Sequence, residues 1–271
     1  MEPPARTLLF VPGDRPERFT KADASGSDGV IVDLEDAVAP AAKERARRAA
    51  VEWLGAHPGL VRINAVDSPW HVEDLAALAG ARRLRGVMLP KSSTADQVAG
   101  VLGRLPMDIP LLALVESAQG VREAASIAEV PGVARLVFGS VDFALDADIV
   151  PSEPDESELL WARSTLVVAS RAAGLPAPLD GVHTRLDDEA GLVASSRRSR
   201  RLGFGGRLCV HPRQIDAVHR AWQPTDEERA WARRVLQAAE ASDGAAVRVD
   251  GQMIDRPCVE RARALLDRRT D

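Results

Sequence analysis

Eight short apolar runs, each bounded by glycine, proline or charge, alternate with segments whose apolar residues recur at helical spacing. The runs are TLLFVPG (7–13), GVIVDLED (29–36), LVRINA (60–65), GVMLPK (86–91), PLLALVES (110–117), ARLVFGSVDF (134–143), PLDGVH (178–183) and GRLCVHP (206–212). Between them lie AKERARRAAVEWL, VEDLAALA, TADQVAGVLGRL, GVREAASIAEV, ELLWARSTLVVASRAAG and EAGLVASSRRSRRLG. Strand and helix in strict alternation place the chain in the α/β class, and eight repeats predict a closed (β/α)8 TIM barrel, for which 271 residues are ample. The competing arrangement is an open doubly wound sheet. It is disfavoured because no GxGxxG follows the first strand and no Walker lysine motif occurs. The barrel is expected over residues 1–224. Residues 225–271 exceed its needs and predict a C-terminal helical arm or lid, opening with Thr225 in capping-box spacing to Glu228.

A barrel carries its chemistry at the carboxyl ends of its strands. Those ends read PGDR, DLED, RIN, PK, ES, VD, DGVH and HP, far more polar than the strand beginnings. Glu116 and Asp142 close two successive runs 26 residues apart, which places both carboxylates at one edge of the sheet. Paired oxygen ligands there suit a hard divalent ion such as Mg²⁺, although strand-end acids also cap helices or pair with bases. If the DLED strand stays regular, Asp33 and Glu35 share one face and Asp36 takes the other. Arg62 is open to an ion pair with Glu35 or Asp36, and those acids can at the same time orient it toward a ligand. Gly139 and Ser140 bring backbone amides beside Asp142, where they can bind a carboxylate. Lys91 and His211 face the same rim, where a structural hydrogen bond accounts for either.

Composition excludes several classes. The net charge is −5, from 35 basic and 40 acidic residues that are interspersed, and there is no tyrosine; neither a nucleic-acid groove nor an aromatic stacking platform is expected. Cys209 and Cys258 form no CxxC pair, so no zinc cluster or disulfide framework is suggested and a reducing cytoplasmic setting is the default. The apolar stretch near the N-terminus is only five residues, too short for a signal peptide or a membrane span.

The motifs FVPGDRPERF, VDLEDAV, VRIN, LPK, LVES, FGSVDFALD, LCVHPRQI and DGQMIDRP, in this order, resemble the citrate lyase beta subunit-like (CitE-like) branch of the HpcH/HpaI aldolase superfamily. The resemblance covers nearly the whole chain. It implies that Glu116 and Asp142 bind Mg²⁺ and that Arg62 contacts the carboxylate or carbonyl oxygen of a 2-keto acid. Glu35, Asp36, Gly139 and Ser140 complete the expected substrate pocket. In the thioester lyases of this family an aspartate in a GQMIDRP-type motif reaches over a neighbouring subunit's site, which implies a catalytic acid or base role for Asp255 and a homo-oligomer, as a trimer. A plain helix cap before Arg256 and Pro257 is the other reading of Asp255. Arg15, Arg18 and Lys21 are candidates for the phosphates of coenzyme A, or simply a solvated helix face. Pyruvate aldolases of the superfamily carry a histidine after a comparable glutamate; here Ala37 stands after LED, which lowers the free-aldehyde aldolase reading.

The implied activity is a Mg²⁺-dependent Claisen-type lyase that cleaves or forms a 3-hydroxyacyl-CoA such as malyl-CoA or citramalyl-CoA, giving acetyl-CoA and a 2-keto acid. Three alternatives stand beside it: a citrate lyase beta subunit acting on an acyl-carrier-protein thioester, an enzyme with added malate synthase or thioesterase activity, and a non-catalytic metabolite-binding subunit. The acidic SEPDESE segment (152–158) departs from the family's lengths and leaves the pocket rim undefined.

Overall fold

The computed structural model describes residues 5–106, 108–152, 154–242 and 246–267. Eight parallel strands close on themselves in chain order: β1 (Thr7–Pro12), β2 (Gly29–Asp33), β3 (Gly59–Arg62), β4 (Leu84–Leu89), β5 (Leu111–Val115), β6 (Val133–Phe138), β7 (Leu179–Asp180) and β8 (Gly206–Cys209), with β8 pairing β1. The expected (β/α)8 barrel is the observed fold. Val, Leu and Ile dominate the strands, and the crossover helices bury their outer faces, so the strands are largely apolar on both sides; Arg135, Asp180 and Arg207 are buried charges among them.

The barrel interior is filled by Leu8, Ile31, Met88, Leu112, Leu114, Val137, Leu179 and Leu208, with Phe10, Leu60 and Val182 packed against them. The two-residue period of a strand carries this inward set upward. Ile31 leads to Asp33, Leu60 to Arg62, and Leu114 to Glu116. The polar residues at the top are thus the next inward positions above the apolar plug.

Most strands are shorter than the apolar runs that announce them, and all end before those runs close, Pro90 and Lys91 following β4 among them. β2 ends at Asp33 because the Asp33 carboxylate accepts from the amides of Glu35 (2.9 Å) and Ala37 (3.2 Å), turning the chain. The regular face alternation expected through Asp36 therefore stops at Asp33. β6 ends at Phe138, and SVDF opens the helix Ser140–Asp146, so Asp142 sits in a helical first turn and not on a strand. The helix expected over GVREAASIAEV breaks at Glu123 into Ala118–Arg122 and Ala124–Ala128. Within the SEPDESE segment Glu156 is anchored, pairing with Arg163 (2.6 Å) and Arg198 (2.8 Å).

By contact density the chain forms two compact units, residues up to 219 and residues from 220. In the second, the helix Asp226–Ala241 begins with the capping box Thr225–Glu228. Strands β9 (Val247–Val249) and β10 (Gln252–Ile254) form an antiparallel hairpin, and the helix Arg256–Asp267 follows. The hairpin turns at Asp250 and Gly251, both at positive φ (49° and 84°), as a two-residue turn requires. Ala232, Val235, Ile254, Ala262 and Leu265 form this unit's own core. Among the described residues no helix is long and apolar enough to cross a membrane.

Candidate active site

Arg62, at the end of β3, is the centre of the polar cluster. Its Nε and Nη2 donate to the two Asp33 oxygens at 2.7 and 2.6 Å, a bidentate fork. Nη1 lies 3.0 Å from Glu35 and 3.8 Å from Asp36, and the guanidinium packs 4.7 Å over the Phe10 ring. The expected partners Glu35 and Asp36 are both present, but the principal one is Asp33, because it lies one inward step above Ile31 on the neighbouring strand. Burial alone would make Arg62 easier to deprotonate; Asp33, then Glu35 and Asp36, outweigh it and hold the guanidinium charged.

Glu35 is buried, and neither carboxylate oxygen has a hydrogen-bond partner: Arg62 is near enough for an ion pair but not aligned for a hydrogen bond. Burial pushes its carboxyl up to about 7, against the pull of Arg62 and with a further push from Asp36. Its backbone is fixed from behind. Lys43, buried at the start of the helix Lys43–Trp53, donates to the carbonyls of Leu34 (2.7 Å) and Glu35 (2.8 Å) and to Asn64 Oδ1 (2.6 Å). Asn64 is in turn held by Asp74, and Asp74 by Arg47. One lysine thus ties the loop after β2 to the loop after β3.

Glu116 follows β5 and is 4 % exposed. Its Oε1 accepts from the Lys91 amide at 2.8 Å. Burial, reinforced by Asp142 and Glu35 and opposed by that amide and Arg62, raises its carboxyl to about 8. Gly139 packs so closely on Glu116 that a methyl group there would overlap its side chain. A small cavity of about 70 Å³ is lined by Arg62, Glu116, Gly139, Ser140 and Asp142. A second, of about 380 Å³, shares Ser140, Val141 and Val182 with it and extends to His183 and Leu159.

The structure therefore brings together Arg62, Glu35, Asp36, Glu116, Gly139, Ser140 and Asp142. The Gly139 amide is committed to the Val115 carbonyl (3.0 Å), so of the two expected backbone donors only Ser140 is left to meet a ligand. Arg15, Arg18 and Lys21 are exposed after β1, on the same end of the barrel. Asp255 belongs to the second unit, where its Oδ1 accepts from the Cys258 amide (3.3 Å) and caps the last helix. Sequence reasoning placed Asp33 and Lys91 at the rim without a functional role, and missed Lys43 altogether. Asp33 is legible as an inward acid of DLED; Lys43 carries no signal, since KER at a helix start reads as a solvated face.

Two carboxylates and no available thiolate make a hard donor set. Cys209 is buried and pushed up to about 12. Glu116, ionised in such a place with a single amide for partner, is the group a cation would stabilise. No cluster of three metal-binding side chains occurs among the described residues, but Mg²⁺ keeps several waters and needs only one or two carboxylates. The residues fit a hard divalent ion.

The model of the HpcH/HpaI aldolase/citrate lyase family matches residues 6–212. A citrate lyase subunit beta-like protein of Deinococcus radiodurans is 39 % identical, over 97 % of this chain and 98 % of its own. A (3S)-malyl-CoA thioesterase of Cereibacter sphaeroides is 34 % identical, over 97 % and 94 %. The crystal structure of CitE from Mycobacterium tuberculosis in complex with magnesium, acetoacetate and coenzyme A superposes with a TM-score of 0.87 at 38 % identity, covering 97 % of both chains.

Proposed function

Because this chain belongs to the HpcH/HpaI aldolase/citrate lyase family, we propose that it is a Mg²⁺-dependent carbon–carbon lyase acting on a 3-hydroxyacyl-CoA of the malyl- or citramalyl-CoA type. The observation that carries the reading is the pairing of a fixed, permanently charged Arg62 with two carboxylates around one small cavity. Glu116 and Asp142 hold the ion, which supplies Lewis acidity to the hydroxyl that becomes the keto oxygen.

Arg62 receives the carboxylate of the departing 2-keto acid and stabilises negative charge on the adjacent oxygen; Asp33 and Glu35 prevent it from swinging away. The Ser140 amide offers a further donor to that carboxylate, and Asp36 borders it. The hydroxyl proton is released to water as the C2–C3 bond breaks, the O–H electrons form the keto C=O, and the C2–C3 electrons pass to C2 and form the acetyl thioester enolate. Asp255 gives C2 its proton, and takes it in the condensation direction. In this reading residues 225–271 are an arm that delivers Asp255 to a neighbouring subunit of a homotrimer, while Arg15, Arg18 and Lys21 meet the coenzyme A phosphates. The likeness to a malyl-CoA thioesterase gives hydrolysis of the thioester as the second reading.

The test is turnover of malyl-CoA, citramalyl-CoA and 3-hydroxy-3-methylglutaryl-CoA with Mg²⁺ and with chelator, following keto acid and free thiol separately. Mg²⁺-dependent keto acid without thiol is expected; thiol release adds hydrolysis, and silence on all three shifts the substrate to a carrier-protein thioester or removes catalysis. Asp255→Asn separates chemistry from capping, since Asn caps a helix as well as Asp. Lost turnover with unchanged Tm and Mg²⁺ affinity is expected, and an undiminished rate removes Asp255 from the mechanism.

A further inference from the structure

Lys91, two residues past β4, has a φ of 51°, in the left-handed region that disfavours a side chain. Glycine would adopt this conformation without strain, yet the position carries a lysine with two distinct contacts. The conformation aims its amide at Glu116 Oε1 (2.8 Å), and its half-exposed ammonium lies 3.5 Å from Glu35 Oε1. The other Glu35 oxygen is 3.0 Å from Arg62, so two cations flank one buried carboxylate. Lys43 fixes the backbone of Glu35 but not the direction of its side chain. That direction is left to Arg62 and Lys91.

We propose that Lys91 is a positioning residue for the lyase reaction: its backbone seats Glu116, and its ammonium draws Glu35 across the barrel mouth against Arg62, setting the guanidinium that receives the keto-acid carboxylate. This rests on the function proposed above. Lys91→Gly isolates the ammonium, because it keeps the amide donor and relieves the left-handed strain. A merely structural lysine would then be replaced at no loss.

The experiment compares wild type, Lys91→Gly and Lys91→Arg in condensation of acetyl-CoA with glyoxylate and with pyruvate. For Lys91→Gly the expected result is a Tm no more than about 2 °C below wild type and a keto-acid KM raised about tenfold or more. Lys91→Arg recovers part of the loss. In a Glu35→Gln background Lys91→Gly has no further effect, because the lysine acts through that carboxylate. Unchanged kinetics in Lys91→Gly, or losses that add to those of Glu35→Gln, overturn the inference. If wild type is inactive on every thioester, the function proposed above fails, and the crystal structure of Lys91→Gly decides this inference separately. A Glu35 carboxylate displaced from Arg62 supports it; an unmoved one overturns it.

Discussion

Gly139→Ala tests whether the placement of Glu116 is what the site depends on. The added methyl carbon would stand 2.5 Å from Glu116 Cβ and 3.2 Å from its Cδ, whereas ordinary contact begins at 3.4 Å. Glu116 must therefore retreat by about an ångström, a displacement that typically costs ~100-fold in rate when it affects a reacting constellation. Gly139 has a φ of −92°, so alanine introduces no backbone strain and the effect is steric. Overpacking of this kind costs about 1–3 kcal/mol, and at roughly 2–4 °C per kcal/mol the Tm should fall by a few degrees. The matched control is Gly100→Ala, an exposed position of the helix Ala95–Leu102 with nothing within 4 Å of the added carbon. It should gain about 0.5–1 kcal/mol. Calorimetric Mg²⁺ titration and keto-acid release from malyl-CoA measure both variants beside wild type. A Gly139→Ala protein that keeps its Mg²⁺ affinity and its rate would refute the assignment of Glu116, whatever its Tm.

Arg62→Lys removes the two-pronged contact with Asp33 while keeping the charge. A loss of turnover of ~100-fold or more is expected, with a keto-acid KM that rises more than that of the thioester; equal KM changes for both would detach Arg62 from the keto acid. Stability should also respond to pH in an unusual sense. Burial raises Glu35 to about 7 and Glu116 to about 8 from an ordinary 4.5, so above 4.5 the folded protein holds protons that the unfolded chain has released. Their contribution is fully present below about pH 4.5 and is lost as pH rises through 7 and 8. In chelator the Tm should decline between about pH 5 and 8 and level off above that, and Mg²⁺ should reduce the decline by favouring the ionised carboxylates. A flat profile in chelator contradicts the raised values.

The barrel was legible from sequence because alternating strand and helix periods are local; an open doubly wound sheet buries both strand faces as well, so closure was read from the eight repeats and the absence of nucleotide-binding glycine motifs. Glu116 and Arg62 were legible for the same reason, each standing one inward step above an apolar residue on its own strand. Asp142 was legible as a residue, but its setting was not. Whether SVDF continues a strand or opens a helix is decided by the register of β6 against β5, which ends at Phe138.

What the sequence determined by itself is the order of elements, the polar rim and the identity of its charged groups, all of which depend on near neighbours in the chain. The tertiary structure alone decided which charges meet. Asp33, and not Glu35 or Asp36, grips Arg62 because parallel pairing sets Asp33 opposite Arg62 in adjacent strands. Lys43 reaches three acceptors in two loops because its helix folds back over the strand ends. Contacts between groups tens of residues apart depend on strand register and helix docking, which are settled by packing of the whole barrel and leave no periodic trace in the sequence.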